Sequence, residues 1–290
     1  MQMRRVAVTL VAAAAIACGN GVTGPPPPPP PVGNHVLVGA GDIGVCGSPG
    51  TEATAAMLDR MEGTVFTAGD NAYFQGSAAD YRNCYDPTWG RHKDRTRPAP
   101  GNHEYATGGA EPYFAYFGPS AGPPGLGYYS FEVGPWHIVS LNSNVSAQQG
   151  SPQYQWLAGD LSSRNARCIA AIWHHPLFSS SQNGPSPIMR DVWRLLQQSG
   201  GDVVISGHEH AYERFALLDS TGRPAADGMR SFIAGTGGAE LYNFVTVSPG
   251  SEARIRSWGL LKLTLNAEGY GWEFHSVDGP VRDSGTGSCR

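Results

Sequence analysis

The sequence predicts one α/β domain built on a mixed sheet, with loops rich in glycine and proline. Three observations favour this fold class: short apolar runs with strand composition recur, helical patterns fall between some of them, and polar clusters follow several of the runs. The chain has 290 residues, of which 40% are hydrophobic, so a sizeable core is available. A net charge of −4 and the lack of a basic run argue against a nucleic-acid scaffold.

The predicted elements alternate along the chain. Thr51 is the expected N-cap of the first helix, and Gly134-Pro135 is expected to form the turn of a β-hairpin. Apart from these elements, a basic cluster at 91–97 is expected to be either a solvated loop face or a contact for an anionic substrate. Helices are predicted over residues 51–61, 151–161 and 188–198, and strands over 36–38, 65–68, 128–133, 136–141, 168–173, 203–206, 231–234, 260–265 and 271–276.

Residues 1–17 have the pattern of an export signal. Arg4 and Arg5 precede an apolar segment of about a dozen residues, which is too short to span a membrane, and residues 15–17 form a small-x-small cleavage pattern. Cys18 follows at once, as in a bacterial lipoprotein signal, while an ordinary secretory signal cut at the same bond is the alternative. We therefore expect an exported protein, in the bacterial cell envelope or secreted, with a membrane tether through a lipid on Cys18.

Residues 18–34 are predicted to be a linker, and the folded domain is predicted to occupy residues 35–290. Seven consecutive prolines at 25–31 favour an extended polyproline spacer that holds the domain away from a membrane. A disordered leader without a role is the alternative.

The domain contains four cysteines, and an even count in an exported chain favours two disulfides with three possible pairings. We favour Cys46–Cys84, because each lies a few residues beyond a motif that is expected to reach a common site. That choice leaves Cys168 to pair with Cys289. No Cys-x-x-Cys is present, so a zinc site built from thiolates is not expected.

Five polar clusters carry the chemistry of the sequence. In α/β sheets, sites form beyond the carboxyl ends of strands, so clusters that follow different strands can meet in space. Their carboxylate, imidazole, amide and phenol groups suit iron, zinc or manganese, and a carboxylate is the natural bridge between two ions. The clusters are Gly-Asp-x-Gly at 41–44, Gly-Asp-x-x-Tyr at 69–73, Gly-Asn-His-Glu at 101–104, His-His-Pro at 174–176 and Gly-His-Glu-His at 207–210.

Single clusters have simpler interpretations. Asp42 alone would be a turn residue, and His174 alone would be a core histidine with satisfied hydrogen bonds. Residues 39–44 also fit Gly-x-Gly-x-x-Gly, but no helix start follows at once, as a dinucleotide site requires. His208 and His210 are two residues apart, so on a strand they would share one face. The five clusters together, in this order, favour a two-metal site.

The series resembles the calcineurin-like metallophosphoesterase superfamily over about residues 35–275, and Tyr73 and the run 207–214 resemble the purple acid phosphatase branch. The resemblance implies a four-layer αββα sandwich with mixed sheets and a centre of two metal ions. It implies Fe(III) at the Tyr73 position and Fe(II), Zn or Mn at the second, with Asp70 bridging. The implied ligands of the first ion are Asp42, Asp70, Tyr73 and His210, and those of the second are Asp70, Asn102, His174 and His208.

The resemblance also implies an activity. It implies an acid phosphatase that hydrolyses phosphomonoesters by in-line attack of a dimetal-bound hydroxide, with Asp70 and His103 as the catalytic residues. Phosphodiesterase or nucleotidase activity on the same core is one alternative, and a non-catalytic, surface-tethered binding protein is another. His175 stands at the variable position of His-x-Pro, outside the implied ligand set. Asn183 replaces a histidine that purple acid phosphatases often carry nine residues beyond the His-x-Pro histidine.

Overall fold

The computed structural model describes residues 34–164 and 166–290. The predicted export signal and almost all of the predicted linker lie outside these residues. In the described part of the chain, no helix has the length and apolar character needed to cross a bilayer.

Thirteen strands in the described residues form two mixed sheets. The strands are β1 (His35–Ala40), β2 (Thr64–Ala68), β3 (Thr96–Ala99), β4 (Tyr129–Val133), β5 (Trp136–Ser140), β6 (Cys168–Ile172), β7 (Val203–Ser206), β8 (Tyr212–Leu218), β9 (Met229–Ala234), β10 (Ser251–Ile255), β11 (Gly259–Leu265), β12 (Gly269–Ser276) and β13 (Val281–Ser288). One sheet has the order β13-β12-β11-β1-β2-β3, with β1, β2 and β3 parallel. The other has the order β10-β8-β9-β7-β6-β5-β4, and its parallel strands are β5, β6, β7 and β9.

Helices cover the outer faces of the two sheets. They are α1 (Pro49–Leu58), α2 (Ala78–Asp80), α3 (Glu111–Phe117), α4 (Pro152–Ser162) and α5 (Arg190–Gln198). One apolar cluster combines residues of both sheets, such as Phe66 and Ile205. A second joins β7 to α4 and α5, and a third joins β1 and β2 to α1. These three cores separate four layers, so the implied αββα sandwich is confirmed.

Several boundaries differ from the sequence prediction. The first helix begins at Pro49, because Ser48 is the N-cap and its hydroxyl accepts the N–H of Gly50. The predicted N-cap, Thr51, lies inside the helix and donates to Ile43 O. The last predicted helix begins at Arg190, after one 3₁₀ turn. Strands β3, β8, β10 and β13 were not predicted, because proline, charged and small residues make their apolar patterns weak.

The basic cluster at 91–97 supports the fold. Arg91 binds both carboxylate oxygens of Asp59 at 2.7 and 2.8 Å. Arg95 donates to Leu58 O and Gly63 O, each at 2.9 Å. These contacts cap the C-terminal end of α1, where free carbonyls attract cations. Two of the cluster's arginines are thus engaged in structural contacts.

Both favoured disulfides are present. Cys46 and Cys84 are bonded with their Cα atoms 4.5 Å apart, and Cys168 and Cys289 with theirs 5.3 Å apart. The first ties the loop after β1 to the segment after α2. The second joins the start of β6 to the end of β13, and so connects the two sheets.

Candidate metal centre

The five polar clusters meet at one edge of the sandwich. Each follows the carboxyl end of a parallel strand: β1, β2 and β3 in one sheet, and β6 and β7 in the other. The site therefore lies where the two sheets face each other, and neither sheet could build it alone. All seven predicted ligand residues are brought together there.

The first group of four ligand atoms centres on the Tyr73 hydroxyl. That oxygen lies 2.9 Å from Asp42 Oδ1, 3.1 Å from Asp70 Oδ2 and 3.2 Å from His210 Nε2. His210 Nε2 is also 3.3 Å from Asp42 Oδ1. Ligand atoms about 2.1 Å from an ion and at right angles to one another are about 3 Å apart, so these spacings suit a bound metal.

The second group centres on His174 Nε2. This atom lies 3.1 Å from Asp70 Oδ2, 3.0 Å from Asn102 Oδ1 and 3.2 Å from His208 Nδ1. Asp70 Oδ2 is therefore about 3 Å from ligand atoms of both groups. Asp70 is the one residue that the two groups share.

Hydrogen bonds to the backbone orient the imidazoles. His174 Nδ1 donates to Ala68 O at 2.8 Å, and His210 Nδ1 donates to Glu240 O at 2.7 Å. Each bond fixes the tautomer that leaves the Nε2 lone pair free for a metal ion. His210 also stacks on Tyr242, with ring centroids 3.9 Å apart.

The backbone of the site is held in unusual conformations. Asp42, Asp70 and His208 have φ angles of 61°, 51° and 68°, in the left-handed region that non-glycine residues seldom adopt. Such conformations cost free energy and persist only where surrounding contacts impose them. Gly101 has no side chain where a Cβ would overlap the Asp70 carboxylate, so glycine permits the close approach of these two loops.

The charge of the site is consistent with bound cations. Asp42 and Asp70 are fully buried, and across 34–164 and 166–290 only histidines lie within ion-pair distance of them. Burial opposes ionisation of Asp70, but His174 and His103 outweigh it and hold the pKa of this carboxyl below its usual range. Burial, together with Asp42 and Asp70, raises the pKa of the Tyr73 phenol. Because buried carboxylates require paired charge, this donor set fits two metal ions.

His103 lies beside the centre without joining either group. Its Nδ1 bonds to Phe74 O at 2.5 Å, and its Nε2 is 3.8 Å from Asp70 Oδ2. Its side chain is 29% exposed, whereas those of Asp70 and His174 are buried. The ring therefore faces solvent on the open side of the site, where a substrate would enter.

Glu104 supports the centre, a role that the sequence analysis did not assign. This buried carboxylate accepts the backbone N–H groups of Asp70, Asn71, Ala72 and Gly101 and the hydroxyl of Tyr81. Burial and the nearby Asp70 raise the pKa of Glu104 to about 7, in opposition to the donors from Gly101 and Ala72. Donors surround both oxygens, so the ionised form fits the geometry. The one sequence feature that could have predicted this role is the position of Glu104 directly after Gly101-Asn102-His103.

Asn183 and the loop that carries His208 and His210 lie close together near the centre. Asn183 donates its side-chain N–H to His208 O at 3.2 Å, so its amide is bound to the backbone of a ligand loop. His208 and His210 lie on that loop between β7 and β8, not on a strand. The shared face of a strand therefore does not apply, and the two side chains lie in different groups, with a left-handed backbone at His208.

Comparison with known proteins agrees with this geometry. The family model for calcineurin-like phosphoesterases matches residues 35–212, from β1 to the start of β8. The chain belongs to this family. The resemblance to its purple acid phosphatase branch is confirmed by curated relatives from Arabidopsis thaliana. Probable purple acid phosphatase 20 is 29% identical over an alignment of 232 residues that covers 69% of this chain and 54% of the relative. Purple acid phosphatase 15 is 28% identical over an alignment of 211 residues that covers 60% of this chain and 40% of the relative.

Solved structures show the same fold. Purple acid phosphatase PPD1 from yellow lupin seeds has a TM-score of 0.77 at 22% identity, and covers 88% of this chain and 54% of its own. GAP50, the anchor in the inner membrane complex of Plasmodium, has a TM-score of 0.67 at 16% identity, and covers 89% of this chain and 90% of its own. The chain spans 54% or less of the length of the first curated relatives it matches.

Proposed function

We propose that this protein is a phosphatase of the purple acid phosphatase type that hydrolyses phosphomonoesters at a centre of two metal ions. The observation that carries the proposal is the position of Asp70 Oδ2, 3.1 Å from the Tyr73 hydroxyl and 3.1 Å from His174 Nε2. A carboxylate shared in this way by two sets of ligands holds two ions close together. When bound, such a pair polarises a phosphoryl oxygen and lowers the pKa of a bound water.

The position of each residue determines which ion it is proposed to bind. Asp42, Tyr73 and His210 would hold the first ion, and Asn102, His174 and His208 would hold the second, with Asp70 common to both sets. As a neutral ligand, Asn102 would leave the second ion a stronger Lewis acid than a carboxylate would.

His103 is the proposed catalytic group that contacts the substrate. Because Phe74 O accepts from its Nδ1–H, its Nε2 faces the open side. In the doubly protonated ring, the Nε2–H can stabilise charge on a phosphoryl oxygen or pass its proton to the leaving group. Asn183 offers no proton of tunable pKa, and its amide is bound to His208 O. Proton transfer to the leaving group therefore falls to His103.

Two substrates and a metal analysis test the proposal. The wild type is assayed with an aryl phosphate monoester and a bis-aryl phosphodiester, beside Asp70→Asn, with the metal content of each protein measured. We expect preferential monoester hydrolysis by the wild type, and loss of activity and metal in Asp70→Asn. Faster diester turnover would favour a phosphodiesterase or nucleotidase. Two bound metals without hydrolysis of either ester would favour a non-catalytic binding protein and overturn the proposal.

The identity of the first metal is tested by colour. Phenolate from Tyr73 favours Fe(III), so protein purified without chelator should show a visible phenolate-to-iron absorption band that Tyr73→Phe abolishes. A colourless, iron-free but active protein would refute the iron assignment.

The location of the protein is a proposal from its sequence. Export followed by lipidation of Cys18 would place the domain on a membrane surface, with residues 18–34 as the spacer. In a bacterial host, the full chain should then fractionate with membranes, and Cys18→Ser should release it. A wild type found wholly in the soluble exported fraction would contradict the tether.

A further inference from the structure

His175 lies beside the second group of ligands but has no part in it. Its ring centroid is 4.5 Å from that of His208 and 5.0 Å from that of His174. One ligand atom from each of these three histidines lies within 4.8 Å of the others. His175 is partly buried. A third imidazole so close to the centre needs an explanation that the ligand sets do not provide.

Ser143 determines which nitrogen of the His175 ring carries the hydrogen. The Ser143 hydroxyl oxygen accepts the backbone N–H of His175 at 3.0 Å and lies 2.8 Å from His175 Nδ1. Ser143 is buried, and in the described part of the chain Nδ1 is the one acceptor within reach of its hydroxyl hydrogen. Because a buried hydroxyl hydrogen is costly to leave unpaired, the hydroxyl donates to Nδ1.

The tautomer decides what His175 can do. An imidazole that accepts a hydrogen bond at one ring nitrogen carries its N–H on the other nitrogen. With Nδ1 accepting from Ser143, that N–H is on Nε2, on the far side of the ring from the serine. A protonated Nε2 has no lone pair for a metal ion, and four other residues already form the second group.

We propose that His175 is a substrate-binding residue whose Nε2–H donates a hydrogen bond to a phosphoryl oxygen on the second-metal side, with Ser143 as its positioning residue. His103 stands beside Tyr73, with ring centroids 4.4 Å apart, and His175 stands beside His208. A phosphoryl group bound at the centre would thus have one imidazole on each side, His103 and His175. This inference rests on the proposed function. It assigns to His175 a hydrogen bond that would favour binding of a tetrahedral oxyanion such as phosphate.

The experiment compares His175→Phe, which removes the donor, with His175→Gln, which keeps an N–H donor without a titrating ring. Affinity of the metal-loaded protein for orthophosphate is measured by calorimetry, and kcat/KM with an aryl phosphate. Loss of one hydrogen bond to a charged oxygen should weaken both by about 10- to 100-fold in His175→Phe. His175→Gln should recover most of the loss. His275→Phe is the matched control, because that ring, on β12, contacts Glu273 and no residue of the centre.

The tautomer itself is read by ¹⁵N NMR of histidine-labelled, metal-free protein. We expect a protonated Nε2 at His175 in the wild type, and a loss of that preference in Ser143→Ala. A protonated Nδ1 would overturn the proposal, as would loss of one metal ion in His175→Phe, which would make His175 a ligand.

The two proposals fail in distinguishable ways. If the wild type hydrolyses phosphate esters and His175→Phe matches it in kcat/KM and in orthophosphate affinity, His175 has no such role and the proposed function stands. If the wild type hydrolyses no ester, the proposed function fails. The orthophosphate affinities of the wild type and His175→Phe then still decide whether His175 binds a phosphoryl group.

Discussion

Replacing Glu104 by glutamine should destabilise the metal centre from outside the ligand set. The carboxylate joins two ligand loops, because Oε2 accepts from Asp70 N at 3.0 Å and from Gly101 N at 2.7 Å. Oε1 accepts from Asn71 N, Ala72 N and the Tyr81 hydroxyl. Glutamine has nearly the same shape but only one acceptor oxygen.

The size of the effect follows from counting donors. If the glutamine oxygen takes the place of Oε1, its three donors are kept and the amide NH₂ faces the N–H groups of Asp70 and Gly101. Two buried backbone donors then lose their acceptor, at about 1–3 kcal/mol each, so we expect a loss of about 2–6 kcal/mol in the free energy of unfolding. That is a large part of the ~5–15 kcal/mol typical of a domain.

The assay is urea denaturation of metal-free and metal-loaded protein, with the metal content measured in parallel. Glu104→Gln should lose stability and bind metal less tightly, because Asp70 is no longer fixed. Glu62→Gln is the control: this side chain is exposed, and its replacement should change stability by less than about 0.5 kcal/mol. A loss below about 1 kcal/mol with both metals retained would refute the argument.

Three other perturbations test the fold around the site. Burial raises the pKa of Asp202 to about 6, so the folded protein binds this proton more tightly than the unfolded chain does. The free energy of unfolding should therefore fall by about 2 kcal/mol from pH 4 to pH 6. Asp202→Asn should lack that decline in urea denaturation, and an identical pH profile would contradict it. Replacing both Cys46 and Cys84 by serine removes a disulfide between residues 38 positions apart in sequence. The free energy of unfolding should fall by about 2–4 kcal/mol, and an unchanged denaturation midpoint would contradict this. Gly101→Ala should lower metal content by displacing the bridging carboxylate, whereas Gly159→Ala, in a helix with open space, should leave it unchanged; equal metal content in both would count against the steric argument.

Much of the fold could be predicted from local patterns in the sequence. Apolar runs ending in polar clusters located β1, β2, β6 and β7 and the edge at which their ends meet, because the carboxyl ends of parallel strands lie together. Edge strands such as β13 carried too little apolar signal, since one of their sides pairs with no other strand and their residues are largely exposed. The division of the strands into two sheets came from the family resemblance and not from periodicity.

The sequence by itself determined the chemical groups available to this protein: seven proposed metal ligands, each directly beyond a strand or in a short motif, and four cysteines paired as favoured. The family resemblance implied how those side chains divide into two groups, and the tertiary structure decided how close together they lie. His208 and His210 are only two residues apart in sequence but lie in different groups, and the backbone at His208 is left-handed. Glu104 and Ser143 acquire their roles only in the folded chain, since the donors of Glu104 and the imidazole beside Ser143 come from distant segments. A motif can specify the atoms that bind a metal, but their spacing depends on how the two sheets pack.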